Sequence, residues 1–171
     1  VAQLQWALPW LLLALLVSAC SRERDVLLGP GVLAPDAPLQ LAATPALRER
    51  GGFRLTTRAD FTVRGKLLSK RRYRWDDLAP VVPWDFALAW GPMSDEAVLA
   101  GTRLVQGDRR MFWHLYDLSL PLAVIEHHSA NVHVIPATSA IGQQLERAPT
   151  GAIVELRGEL VDLSLPDGGL I

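Results

Sequence analysis

Val63-Arg64-Gly65-Lys66-Leu67-Leu68 and Leu156-Arg157-Gly158-Glu159-Leu160-Val161 share one form: apolar, Arg, Gly, charge, Leu, apolar. Around the first, Phe61, Val63, Gly65 and Leu67 alternate with Thr62, Arg64 and Lys66, the period of two expected of a half-buried strand. Around the second, from Ala152 to Leu163, Val154, Leu156 and Leu160 fall on one side and Glu155, Arg157 and Glu159 on the other. An echo of six positions is too short for a repeat unit. It predicts two long strands, each kinked at its glycine, as small barrels require at their corners.

Between them the chain is punctuated by proline and glycine. Lys70-Arg71-Arg72-Tyr73-Arg74-Trp75 reads as the turn and returning arm of a hairpin, and Phe86-Ala87-Leu88-Ala89-Trp90 as a buried strand between prolines. Ser94, with Asp95 and Glu96 behind it, predicts the cap of a short helix over Ala97-Val98-Leu99 that stops at Gly101. Gln106-Gly107-Asp108 is turn chemistry. After it Met111, Trp113 and Leu115 alternate with Arg110, Phe112, His114 and Tyr116, which predicts a strand covered on both faces. Thr138 or Ser139 predicts the cap of a helix with Ile141 and Leu145 inward, closing near Gly151. Short strands with one or two short helices predict a mainly β fold, a small OB-like partly open barrel, with a β-sandwich as the alternative.

The beginning of the chain belongs to a different class. Trp6 to Ala19 is an apolar run too short to span a bilayer, ending in Val17-Ser18-Ala19-Cys20. That ending resembles a bacterial lipobox, with residues 1–19 a signal peptide and Cys20, the one cysteine of the chain, the lipidated residue. Val1 to Gln5 carries no Lys or Arg, so the true start is expected upstream or lost from a shortened gene model. Ser21 after the cysteine leans, by the same resemblance, towards the outer membrane. Residues 20–52, with Pro30, Pro35, Pro38 and Pro45, read as a tether, and 53–171 as a single β-rich domain. Leu165-Pro166-Asp167-Gly168-Gly169 is a tight-turn sequence with only Leu170 and Ile171 after it, so the domain is expected to be truncated at its C-terminal end. A net charge of −1 gives no overall pull towards a polyanion.

Glu126-His127-His128-Ser129-Ala130-Asn131-Val132-His133-Val134-Ile135-Pro136-Ala137 holds three of the four histidines. Val132 and Val134 alternate with Asn131, His133 and Ile135, a strand that Pro136 ends. His128, Asn131 and His133 are candidates to line a ligand groove with Trp90 and its neighbour Trp84. The alternative is a metal-dependent hydrolase in which His127, His128 and His133, with Glu126 or His114, hold zinc or another divalent ion. No known zinc spacing is matched, and otherwise no cofactor is expected. Ser129 as a nucleophile with an adjacent histidine fits poorly, because neighbours on an extended chain point to opposite faces. The basic-aromatic run Lys70–Trp75 could stack on a single-stranded nucleic acid, but export and Asp76-Asp77 argue against that partner.

Trp90-Gly91-Pro92-Met93-Ser94-Asp95 and the block His128–Ala137 resemble two signature blocks of a family of bacterial exported proteins that has no assigned activity. The resemblance covers residues 60–168. The family pattern continues past the Asp-Gly turn into a strand with Trp, Ser and Arg and a late Cys, none of which this chain contains at that place. The resemblance implies an exported compact domain. Together these readings predict a lipid-anchored protein of the bacterial envelope, facing the periplasm or exterior, whose domain binds a small molecule or an envelope protein and is more a binder than an enzyme.

Overall fold

A 20-residue strand, Phe53–Arg72, runs the length of the molecule, and the other strands are arranged on its two edges. The computed structural model describes residues 24–116, 120–165 and 169. The signal-like segment 1–19, Cys20 and Ser21 lie outside them, as do Pro166, Asp167 and Gly168 of the last turn. In chain order the elements are β1 (Leu39–Ala42), β2 (Leu47–Arg50), β3 (Phe53–Arg72), β4 (Trp84–Ala89), a 3-10 turn over Gly91–Ser94, α1 (Glu96–Leu99), β5 (Thr102–Gly107), β6 (Arg110–Leu115), α2 (Leu122–His128), β7 (Ser129–Val134), α3 (Ser139–Arg147) and β8 (Ile153–Ser164).

All pairings are antiparallel. Lys66 pairs with Ile153 of β8 and also with Ala89 of β4, so these strands occupy opposite edges of β3. β1 and β2 share the β4 edge, lower down. β7 adds outside β4, and β5 and β6 form a separate hairpin layer over one face. The mainly β architecture with short helices is therefore present. The sheet is not closed into a barrel, because its outer strands β7 and β8 do not pair among the described residues.

The two echoed segments do lie in the two long strands, paired with each other so that Val63 faces Leu156. The kinks are elsewhere than the glycines. Register slips between Thr57 and Ala59 against β8, and between Leu67 and Ser69 against β4. A bulge needs only an extra residue, and no glycine. Across the first slip the core-packed residues of β8 change from Val154 and Leu156 to Val161 and Leu163. Gly65 serves a close approach instead, since a Cβ there would meet the Ala89 carbonyl oxygen at 3.0 Å.

β4 is buried at every position. Trp84, Phe86, Leu88 and Trp90 face one core with Val63, Leu67 and Leu145 of α3. Ala87 and Ala89 face a second core with Leu68, Met93, Leu99 and Ile125, roofed by Leu104, Met111, Trp113 and Leu115. A side chain such as Phe86, wholly removed from water, contributes about 2 kcal/mol by transfer alone.

Several local expectations shift. Lys70–Arg72 continue β3 rather than turning, and the return to β4 is made by the Pro-rich loop 73–83. The cap of α1 is Asp95, whose carboxylate accepts from the Ala97 N–H, while Ser94 is fully buried and bonds the Gly91 carbonyl and the Ala34 N–H. Thr138 caps α3 as expected, through the Ile141 N–H, although the helix ends at Arg147. β6 has one wet face, with Phe112 half exposed and Tyr116 beyond it 69% exposed. It is the outermost layer. The stretch read as a tether carries β1 and β2 and is fastened from Arg24 onward, with Ala34 buried.

Candidate functional site

The slip at Leu68 decides which polar groups meet. Directly paired residues of an antiparallel ladder share a face. Before the slip Leu67 opposes Leu88; after it Ser69 opposes Ala87, and Arg71 opposes Asp85. On the other side of β4, Asn131 opposes Ala87 and His133 opposes Asp85. The result is a polar layer under the tip of the β5–β6 hairpin, centred on Asp85, a carboxylate with no exposed surface.

Asp85 takes the His133 Nδ1–H at 2.7 Å and an Asn131 Nδ2–H at 3.1 Å. The Arg109 guanidinium stands 3.8 Å away. Asn131 also donates to the Arg109 carbonyl and accepts from Gln106 Nε2 at 2.7 Å, while Ser69 Oγ donates to Gln106 Oε1 at 2.9 Å. A buried carboxylate is tolerated only when its acceptor sites are filled in this way. The His133 ring, which presents Nδ1 to Asp85, is itself about half exposed.

Arg109 closes the layer from above. It and Asp108 form the hairpin turn at φ values of 57° and 49°, a left-handed conformation that glycine adopts without cost. Strain of this kind persists where contacts over-determine it. Here the Arg109 guanidinium lies 4.3 Å over the Tyr73 ring, donates to the Val82 carbonyl at 3.0 Å and pairs with Asp76 at 2.6 Å. Its backbone N–H donates to the Tyr73 hydroxyl. Burial, the largest influence, pushes the Tyr73 phenol up, whereas the hydrogen bond from Arg109 holds Asp76 below its ordinary range.

Outside this support lies an open cleft of about 730 Å³ lined by residues 71–78 with Asp108 and Arg109. Trp75 stands on its wall, 95% exposed. Arg71 and Arg72 are engaged, on the Gln106 carbonyl and on Glu146, but Arg74 has no partner among the described residues.

Of the residues singled out in the sequence, Asn131 and His133 come together on Asp85. Trp90 does not join them. It lies on the opposite face of β4, five positions along from Asp85 or roughly 16 Å, packed with Trp84 in the first core. The alternation that puts Asp85 under the hairpin necessarily turns Trp84 and Trp90 away. His127 and His128 sit in the last turn of α2, not on a strand, and their Nδ1–H groups donate to the Ala123 and Val124 carbonyls at 2.7 and 2.8 Å. Side chains of the last turn commonly bond a helix's carbonyls in this way. Ser129 is buried and donates to the Ile125 carbonyl at 2.7 Å. Among the described residues no group of three or more His, Cys, Asp or Glu side chains is placed to hold a metal ion.

The layer also contains residues that the sequence reading passed over: Asp85, Arg109, Tyr73 and Gln106. One signal was available for Asp85. A carboxylate flanked by Trp84 and Phe86 inside an apolar run announces a buried charge that needs donors. No family model, curated protein or solved structure matches the chain, so its site is described by this geometry.

Proposed function

We propose that this chain is a lipid-anchored protein of the bacterial envelope, held through Cys20 and facing the periplasm or exterior, whose β-rich domain is a binding module with the Trp75 cleft as its ligand site. Val17-Ser18-Ala19-Cys20 after an apolar run supports the anchor. No helix of the described residues is long and apolar enough to cross a membrane.

The observation that carries the binding reading is Trp75, an indole 95% exposed beside a cleft whose lining includes Tyr73 and Arg109, the residues that close the Asp85 layer. A free ring face, the uncommitted Arg74 guanidinium and the carboxylates Asp77 and Asp108 offer stacking and hydrogen bonds of both senses. That set suits a saccharide, which has an apolar C–H face and hydroxyls that donate and accept. The test is a titration of the protein with chitotriose, followed by tryptophan fluorescence. A saturable change that disappears in Trp75→Phe and weakens in Arg74→Ala, with both variants melting like wild type, supports the reading. The absence of any saturable change, or its persistence in Trp75→Phe, overturns it.

A further inference from the structure

The geometry points to a second contact surface: the face carrying Val32, Leu33, Leu39, Leu41 and Arg64 lies against the lipid bilayer. This rests on the proposed anchor at Cys20 and deepens it.

Chain length is the first argument. Cys20 is four residues before Arg24, so an acyl group on it is at most about 14 Å from the Arg24 backbone. Arg24 is not loose. Its guanidinium pairs with Glu96 at 2.8 Å, and the next residues are pinned by Thr150, which accepts from the Asp25 N–H at its Oγ1 and from the Val26 N–H at its carbonyl. Further on, the Gly31 N–H donates to Asp95 and the Ala34 N–H to Ser94. A leash that short, ending in a clamp, allows the domain little choice of which side meets the membrane.

What lies on that side is the second argument. Glu96 also pairs with Lys66, two positions from Arg64 on the same face of β3, and Arg64 donates to the Leu33 carbonyl at 2.9 Å. Leu39 and Leu41 oppose Thr62 and Asp60, which share the Arg64 face. Val32 is 47%, Leu33 37%, Leu39 53% and Leu41 55% exposed. Single exposed leucines are ordinary; Leu39 and Leu41 on one face of β1, with Val32-Leu33 held at the Arg64 cation, all on the segment that follows the anchor, match an interfacial surface.

The test uses the lipidated full chain in vesicles of phosphatidylethanolamine and phosphatidylglycerol. Because Cys20 is the only cysteine, acylation leaves an introduced thiol as the one reactive site. Leu33→Cys, Leu41→Cys and, as a remote control on the hairpin, Arg110→Cys are labelled with an environment-sensitive dye and challenged with iodide. Docking predicts several-fold weaker quenching and blue-shifted emission at positions 33 and 41 relative to 110. Equal quenching at all three, with palmitate incorporated at Cys20, overturns the docking alone. Absence of palmitate with equal quenching overturns the docking and the anchor together. Shielding at 33 and 41 that persists in a Cys20→Ala background supports the surface and overturns its dependence on the lipid.

Discussion

Asp85 and His133 face each other across the β4–β7 ladder, the histidine Nδ1 2.7 Å from a carboxylate that has no exposed surface while the ring is about half exposed. This inequality makes the pair asymmetric under mutation. His133→Ala removes one donor from a carboxylate that keeps Asn131 and Arg109, and is expected to cost about 1 kcal/mol. Asp85→Ala strands three donors at once under the hairpin and is expected to cost about 3–5 kcal/mol, with Asn131→Ala between the two. Urea unfolding of the three variants checks the order. Equal losses for His133→Ala and Asp85→Ala would refute the view that Asp85 is the centre of the layer.

A second buried charge obeys the same logic with a different answer. Lys66 is completely buried, 2.7 Å from Glu96 as an ion pair rather than an aligned hydrogen bond, and donates to the Ser94 carbonyl at 3.1 Å. Glu96 has a further partner in Arg24, whereas Lys66 has no second ion pair among the described residues and only the longer-range attraction of Asp95. Glu96→Ala therefore leaves a buried cation without its ion-pair partner and is expected to cost about 3–5 kcal/mol, but Lys66→Met leaves Glu96 paired with Arg24 and fills the same space with apolar atoms, for about 1–2 kcal/mol or less. Thermal melts of the two variants decide; a larger loss in Lys66→Met would reverse the argument.

What could be read in the sequence follows from how local each cause is. Alternation around Val63 and Val154 gave the long strands, and Phe86–Ala89 the buried one, because side-chain period is a property of neighbours. α2 was hidden for the opposite reason. Glu126-His127-His128 ends a helix, Leu122–His128, of barely two turns, too short for a helical period to separate from a strand. The site was half legible for a third reason. Asn131 and His133 share a face by their spacing, yet their meeting with Asp85 depends on a register set by β4–β7 pairing, and that of Ser69 and Arg71 on a bulge at Leu68. Neither is a property of a window of sequence. The two blocks do touch, the Trp90 N–H donating to the His128 carbonyl at 2.9 Å, but the Trp90 ring and Asn131 take opposite faces, and which face of a strand a residue takes is fixed only once the strand is paired.

Acid should loosen the edges of the molecule before its centre. Backbone N–H groups of Gly31 and Ala97 hold Asp95 below the ordinary carboxylate range, and Arg48, with Thr57, does the same for Glu159. Both groups are more acidic folded than unfolded, so the unfolded chain takes up these protons first as pH falls. Their contribution is complete above about pH 5 and is lost as pH falls through the folded values. Asp95→Asn and Glu159→Gln are each expected to lower stability slightly at neutral pH and to flatten its decline below about pH 4. Urea midpoints at stepped pH check this. A decline just as steep in the double variant would assign the acid sensitivity elsewhere.

The two glycines of the echoed segments look alike in sequence and should behave differently. At Gly65 an added Cβ would sit 3.0 Å from the Ala89 carbonyl oxygen, which is backbone and fixed by the β3–β4 ladder. Gly65→Ala must push the strands apart at the point where Lys66 and Leu67 enter the core, and is expected to cost about 2–3 kcal/mol. At Gly158 an added Cβ meets nothing within 4 Å, and the residue lies in the extended β8 ladder opposite Phe61. Gly158→Ala relieves the entropy that glycine loses on folding and is expected to be neutral or to stabilise by about 0.5–1 kcal/mol. Paired urea melts read both changes directly. If Gly158→Ala were as damaging as Gly65→Ala, the second glycine would hold a kink that the register of β8 does not contain, and the two strands would be bent in the same way after all.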